Sequence, residues 1–222
     1  MDQKGLQEFA ISEGAAKAGG CDLGVSPVKD QPNLHYAFSI VVKLSNAVLR
    51  SIEGAPSFAY FQHYRAANAL LDRIAFKVAN QIEKSGYEAF PVAASQSLGK
   101  NNPYRGVTAH KTAAVLSGLG FVGKSGLFLC EEYGSKVRLA TVLTDMPLTP
   151  EFPLIENGCG SCTACQKACP AGAIFGTLPT ADGERNFDPE KCSRYMKEHF
   201  QDIGRGSVCG VCIAVCPKNK LK

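Results

Sequence analysis

Cys159-Gly-Ser-Cys162-Thr-Ala-Cys165-Gln-Lys-Ala-Cys169-Pro170 is the stretch that decides how the last part of this chain folds. The x2-x2-x3-Pro spacing is that of bacterial ferredoxins: three thiolates hold one [4Fe–4S] cubane and the fourth serves a second cubane. A second run, Cys209-x2-Cys212-x3-Cys216-Pro217, has Gly206 where a further cysteine belongs, and Cys192 upstream can supply the missing ligand. Two sets of four follow. One is Cys159, Cys162, Cys165 and Cys216; the other is Cys169, Cys192, Cys209 and Cys212. Between the ligands stand Gly160, Ser161, Ala164, Ala168, Gly210 and Ala214, small enough for backbone to wrap a cubane. Structural zinc also uses C-x2-C pairs, but x2-x2-x3-Pro is neither a finger nor a ribbon spacing.

Ten cysteines are many for a chain with no visible secretion signal. Their crowding between Cys159 and Cys216 points to metal, not to a disulfide framework. Cys21 and Cys130 stand apart, and the ordinary reading for each is a buried small hydrophobe. The net charge of +4 neither demands nor excludes nucleic acid. Met1 opens onto a mixed polar segment, and no apolar run approaches the length of a membrane span. The expectation is a soluble, cytoplasmic protein that does not enter the membrane.

Upstream of the cysteines the pattern is mixed α/β. Leu6, Phe9, Ala10, Glu13 and Lys17 suit a short amphipathic helix ended by Gly19-Gly20. Ser39 to Lys43 reads as a buried strand, and Glu88 to Val92 and Val137 to Leu143 read as two more. Ala67, Leu70, Leu71, Ile74, Val78 and Ile82 recur at helical spacing between Tyr60 and Ser85, with Gly86 as the stop. A polar loop covers Ser95 to Arg105, and a helix is expected from Thr108 to Ser117. Pro147, Pro150 and Pro153 mark a linker, after which composition turns to Cys, Gly, Ala and Pro.

Gly118-Leu-Gly120-Phe-Val-Gly123-Lys124-Ser125 satisfies both G-x-G-x-x-G and the P-loop string. Each motif binds phosphate only where it follows a strand and opens a helix. Here an Ala-rich helical stretch precedes it and Gly126-Leu-Phe-Leu-Cys130, a better strand than helix, follows. Nucleotide binding is therefore not expected. The glycines instead let backbone approach something closely: a planar cofactor, a neighbouring chain, or a tight turn.

A G-L-G-[WF]-x-G-K segment, a strand, a Pro-containing linker and then the two cysteine runs resembles the epoxyqueuosine reductase family and the related cobalamin-dependent reductive dehalogenases. The resemblance covers Tyr60 to the C-terminus. It implies an α+β chain, with a nitroreductase-like α/β domain for base-off cobalamin at 1–152 and a double-cluster ferredoxin-like domain at 153–222. It implies that Gly118, Gly120 and Gly123 line the corrinoid and that Lys124 contacts a phosphate of its nucleotide tail. The reductases carry further C-terminal helical repeats used for tRNA, so tRNA binding is not expected of a chain ending at Lys222.

Counting back from Gly118 to where the reductases place a proton-donating aspartate lands on Tyr104, in Asn101-Asn102-Pro103-Tyr104-Arg105. Tyrosine is the donor type of the dehalogenases. A phenol can act as general acid, and Arg105 beside it would stabilise developing negative charge. His110 and His63 titrate near neutrality and are further candidates near the cofactor, although a core or solvated histidine is the commoner case. The expected function is an iron–sulfur oxidoreductase passing electrons from a donor such as ferredoxin or flavodoxin to cobalamin and a small organic substrate. The alternative is an electron-transfer partner that docks and activates a corrinoid protein without a substrate of its own.

Overall fold

The computed structural model describes residues 1–99, 104–179, 186–204 and 206–219. The chain packs as two compact units whose membership does not follow linear order. One comprises Met1–Lys43, Ala67–Gly120 and Arg138–Ile155; the other comprises Leu44–Ala66, Phe121–Val137 and Glu156–Lys222. Segments 44–66 and 121–137, expected with a first domain at 1–152, thus pack with the cysteine region.

The first unit is built on a four-stranded sheet with order β1-β2-β6-β3, formed by β1 (Lys17–Asp22), β2 (Tyr36–Lys43), β3 (Ala89–Val92) and β6 (Val137–Thr144). β1 runs antiparallel to β2 with Gly19 opposite Ser39, and β3 runs antiparallel to β6. β3 is an edge strand, which is where Pro91 is tolerated because it has no N–H to donate to a ladder.

Helix α1 (Gln3–Ser12) is N-capped by Asp2, whose side chain accepts from the Gly5 N–H. It stops at Ser12, and Lys17 opens β1; the helix expected to reach Lys17 is corrected accordingly. Two small glycines hid that strand, because Gly19 and Gly20 look like a helix stop when read alone. Gly20 is needed in the strand itself, where a Cβ would lie 2.8 Å from the Leu148 Cβ.

α2 (Asn46–Arg50) is short, while α3 runs Phe58–Lys84. The apolar stripe expected on α3 is observed: Ala67, Leu71, Ile74, Val78 and Ile82 are buried, and Gly86 follows with φ +88°. Cys21, Leu34, Ala37, Val92, Ala113 and Leu143 form a core cluster, so Cys21 is the small hydrophobe expected. Its Sγ contacts the Ala113 carbonyl at 3.4 Å, and burial pushes its thiol pKa up. Cys130 is likewise buried. Among the described residues no helix is long and apolar enough to cross a membrane.

Candidate metal centre and neighbouring site residues

In the second unit three of the eight clustered cysteines sit on helices and five on the turns and irregular segments between them. α5 (Ala164–Ala168) carries Cys165, α6 (Pro189–His199) carries Cys192, and α7 (Val211–Ala214) carries Cys212. α5 packs against α7. Segment 173–175 pairs with 186–188: Ile174 faces Phe187, Phe175 N–H donates to Asn186 O at 3.1 Å, and Asp188 N–H donates to Ala173 O at 2.8 Å. This pairing brings the chain back so that α6, started by Pro189 and capped by Asp188, carries Cys192 beside the first run.

Electrostatic coupling among the thiols runs mostly within the sets given by the spacing, with one link across them from Cys212 to Cys165. Burial raises the Cys165 pKa, a backbone hydrogen bond at Gln166 opposes it, and Cys159, Cys216 and Cys162 add to the rise. Cys192 is pushed up to about 11 by burial and then by Cys169 and Cys209, with a further contribution from Asp188. Cys209 is raised by burial, and it too feels Cys169. Cys212 is raised furthest, by burial and then by Cys209, Cys192, Cys169 and Cys165. Thiols packed like this resist ionising by themselves, and bound metal would supply the positive charge that makes them thiolates. All eight are free of disulfides. Among the described residues no group of three or more His, Cys, Asp or Glu side chains gathers as the ligands of one ion do. A cubane takes its thiolates on separate irons, so its ligands stand farther apart than those around one zinc.

The loops around these thiols are tied down by side chains. Asn157 Oδ1 accepts from the Cys159 N–H at 2.8 Å, while Asn157 Nδ2 donates to Val122 O at 2.7 Å. The Ala173 N–H donates to Cys169 Sγ at 3.3 Å. Buried Asn219 accepts from the Ser135 N–H and hydroxyl, and its Nδ2 donates to Ile213 O, fixing the turn after Cys216. Gly210, between Cys209 and Cys212, has φ +80°, and a Cβ there would lie 2.5 Å from the ring of buried Tyr60. Both the backbone and the ring demand glycine at this point.

Gly118 to Ser125 has a different setting from either phosphate motif. α4 (His110–Leu116) precedes it, and β4 (Gly120–Val122) and β5 (Phe128–Cys130) form a two-stranded sheet. No helix opens after Ser125, which agrees with the expectation against a nucleotide site. Gly118 follows the end of α4 with φ +71°, and a Cβ there would meet the Phe152 carbonyl. Gly120 begins β4 and is buried. A Cβ on Gly123 would lie 2.7 Å from Leu129 Cδ1 and 3.1 Å from Cys159 Sγ. Lys124 Nζ donates to the Gly160 carbonyl at 2.7 Å. Where the resemblance implied a corrinoid against Gly118 and Gly123 and its phosphate against Lys124, the groups found there are this chain's own, and Gly123 and Lys124 adjoin the first cysteine loop.

His110 opens α4 with both ring nitrogens engaged: Nδ1 is 2.8 Å from Thr141 Oγ1, and Nε2 is 3.0 Å from Ala93 O. The carbonyl can only accept, which makes Nε2 the protonated nitrogen and leaves Nδ1 to accept from the threonine hydroxyl. Burial lowers its pKa, opposed by the Ala93 hydrogen bond. His63 Nε2 accepts from the Ser45 N–H at 2.9 Å. Tyr104 is 41% exposed, and the Arg105 carbonyl accepts from the Leu98 N–H at 2.9 Å, closing that loop. Asn101, Asn102 and Pro103 of the quoted segment lie outside the described residues. Sequence reading missed Asn157, Asn219 and Asn186, whose Nδ2 donates to Gly123 O at 2.8 Å; Asn157-Gly158 before Cys159 has the composition of an Asx turn and was the one available signal.

Residues 158–219 match the 4Fe-4S double cluster binding domain. An epoxyqueuosine reductase of Lactococcus garvieae is 35% identical over 124 residues, covering 52% of this chain and 33% of the relative. A tetrachloroethene reductive dehalogenase of Dehalobacter restrictus is 28% identical over 199 residues, 83% of this chain and 33% of the relative. The chain thus spans about a third of the length of these curated relatives. Among solved structures, a catabolic reductive dehalogenase superposes with TM-score 0.77 at 22% identity, covering 97% of this chain and 31% of that one. An epoxyqueuosine reductase crystal structure superposes with TM-score 0.66 at 21% identity, covering 98% and 65%. The chain therefore shares the fold of the reductive dehalogenases and epoxyqueuosine reductases, is similar in sequence to both, and carries a 4Fe-4S double cluster binding domain at 158–219.

Proposed function

We propose that this chain is an iron–sulfur oxidoreductase that binds two [4Fe–4S] clusters and delivers electrons for the reduction of an organic substrate at a cobalamin. The observation that carries the cluster part is the match of residues 158–219 to a 4Fe-4S double cluster binding domain, with Cys165 coupled to Cys159, Cys162 and Cys216, and Cys192, Cys209 and Cys212 coupled chiefly to one another and to Cys169. Bound clusters would supply one-electron storage and transfer at potentials set by charge, hydrogen bonds and burial. The chain's own part is to hold the thiols at those positions, donate N–H groups to sulfur as Ala173 does, and wall the loops with Tyr60 and Asn219. The donor would be a small electron carrier such as ferredoxin or flavodoxin.

The cobalamin part is supported by the fold, which is that of a reductive dehalogenase described as suggesting a mechanism for B12-dependent dehalogenation. The residues read from the sequence as its contacts have partners within the chain. Gly118 and Gly123 abut this chain's own atoms, and Lys124 and His110 are hydrogen-bonded within it. No step is assigned to the corrinoid. Tyr104, exposed and next to Arg105 in sequence, is proposed as the proton donor, its hydroxyl serving as the acid.

The engagement of those contact residues favours a second reading, in which the chain passes electrons to a separate corrinoid protein. Anaerobic reconstitution with iron and sulfide, followed by hydroxocobalamin and gel filtration, decides between them. About eight irons per chain with retained corrinoid support the reductase; about eight irons and no corrinoid support the electron-transfer partner. Zinc without iron would overturn both.

A further inference from the structure

Two ammonium groups from separate elements border the loop that carries Cys159 and Cys162. Lys124, in the turn after β4, donates to the Gly160 carbonyl at 2.7 Å. Lys218, in the 3-10 turn Pro217–Asn219, has its Nζ 3.1 Å from where a Cβ on Gly158 would stand. Gly123, next to Lys124, comes close enough that its Cβ would be 3.1 Å from Cys159 Sγ. Both cations are thereby held within a few residues of the first set of thiols.

The second set has a different charge environment. The Asp188 carboxylate acts on Cys192, and the Lys191 ammonium, donating to Gly172 O at 3.2 Å, offsets it. A cubane on four thiolates is anionic and becomes more so when reduced. Nearby cations therefore favour the reduced form, whereas a carboxylate disfavours it.

We propose that Lys124 and Lys218 tune the first set electrostatically, so that a cubane on Cys159, Cys162, Cys165 and Cys216 has the higher reduction potential of the two. In a half-reduced protein the electron then rests on the first cluster, and Lys124 and Lys218 are positioning residues for that charge. This rests on the double-cluster reading above. Each reduction adds one electron to a cluster, from the chemical reductant in the test, and makes or breaks no bond. Lys218 is exposed and Lys124 partly so. Solvent screening limits each to a change of about threefold to tenfold in the equilibrium constant for electron uptake.

The test is an anaerobic dithionite titration of the reconstituted chain, followed by EPR, after iron has been counted. Wild type should show two midpoint potentials. K124Q should lower the higher one by up to about 59 mV, the one-electron equivalent of tenfold, and leave the lower one in place. K218Q should act in the same direction, K124R should keep the wild-type value, and D188N should raise the lower potential. If K124Q fails to take up its first cluster, K218Q, altered at an exposed side chain, decides the matter. Full iron content with both potentials unmoved in K218Q and K124Q overturns this proposal alone, as does a shift confined to the lower potential. About four irons or fewer in wild type overturns the double-cluster reading and this proposal with it.

Discussion

Replacing Gly123 with alanine places a methyl group 2.7 Å from Leu129 Cδ1 and 3.1 Å from Cys159 Sγ. Ordinary carbon contacts begin at about 3.5 Å, so the leucine methyl must retreat by ~0.8 Å and the sulfur by less. Neither has room to spare. Leu129 is 2% exposed on β5, and a thiolate bound to iron is fixed by its bond. The backbone of Gly123 is also pinned: its N–H donates to Leu127 O at 3.0 Å, and its carbonyl accepts from Gly126 N–H at 2.9 Å and Asn186 Nδ2 at 2.8 Å. Gly123 is not among the positive-φ glycines, so alanine there adds crowding without backbone strain. Overpacking of this kind costs about 1–3 kcal/mol, and the movable partner is the Cys159 loop. G123A should therefore reconstitute with weakened occupancy of one cluster, read as iron per chain and as loss of one of two EPR signals, while the other remains. G160A is the control, because Gly160 has φ +49° and open space around its Cβ position; it should cost about 1 kcal/mol of backbone strain and keep both clusters. If G123A holds full iron with unchanged spectra and thermal stability, the close approach of the β4–β5 turn to Cys159 is wrong.

Three further outcomes are expected. C192S should lower the iron content from about eight to about four per chain, because the lone cysteine completes the second set; unchanged iron would remove Cys192 from the ligands. Acid should destabilise the protein in part through His110, whose pKa burial depresses in the folded state. As pH falls through about 6.5 the unfolded chain takes up a proton that the native imidazole refuses, so stability declines from there downward and is level above it. His63, lowered by burial as well, adds to the same slope. Urea unfolding between pH 5.5 and 8 should therefore show a shallower slope for H110Q, and an unaltered slope would refute the assignment. Y104F should retain its iron and fold while losing about 10²–10⁴-fold in turnover of a reducible substrate; full turnover would dismiss Tyr104 as the acid.

The cysteine spacing was legible because ligand geometry acts over a few residues and leaves its period in the chain. Helix α3 was legible for a similar reason, since Leu71, Ile74, Val78 and Ile82 bury one stripe. β1 was hidden because its interior is Ala18-Gly19-Gly20, where close packing against Leu119 and Leu148 replaces the usual β-branched signal. The strand that follows the Gly118 to Ser125 segment was legible, yet its partner could not be read. What those glycines approach, Phe152 and Cys159, lies more than thirty residues onward in the sequence, and no local pattern encodes such a meeting. Asn157, Asn186 and Asn219 escaped notice for the same reason, as their hydrogen bonds run to Val122, Gly123 and Ser135.

The scattered membership of the second unit bears on how the protein can be made. Leu44–Ala66 and Phe121–Val137 belong to it together with Glu156–Lys222, so a ribosome releases its pieces in three instalments interrupted by the other unit. The thiols of the first set are not all synthesised until Cys216 has emerged, and Asn219, which secures Cys216 against Ser135, comes later still. A fragment beginning at Pro153 would carry all eight ligands but lack Tyr60 and the β4–β5 turn that wall them. Grafting the cysteine region onto another protein means transplanting three segments together.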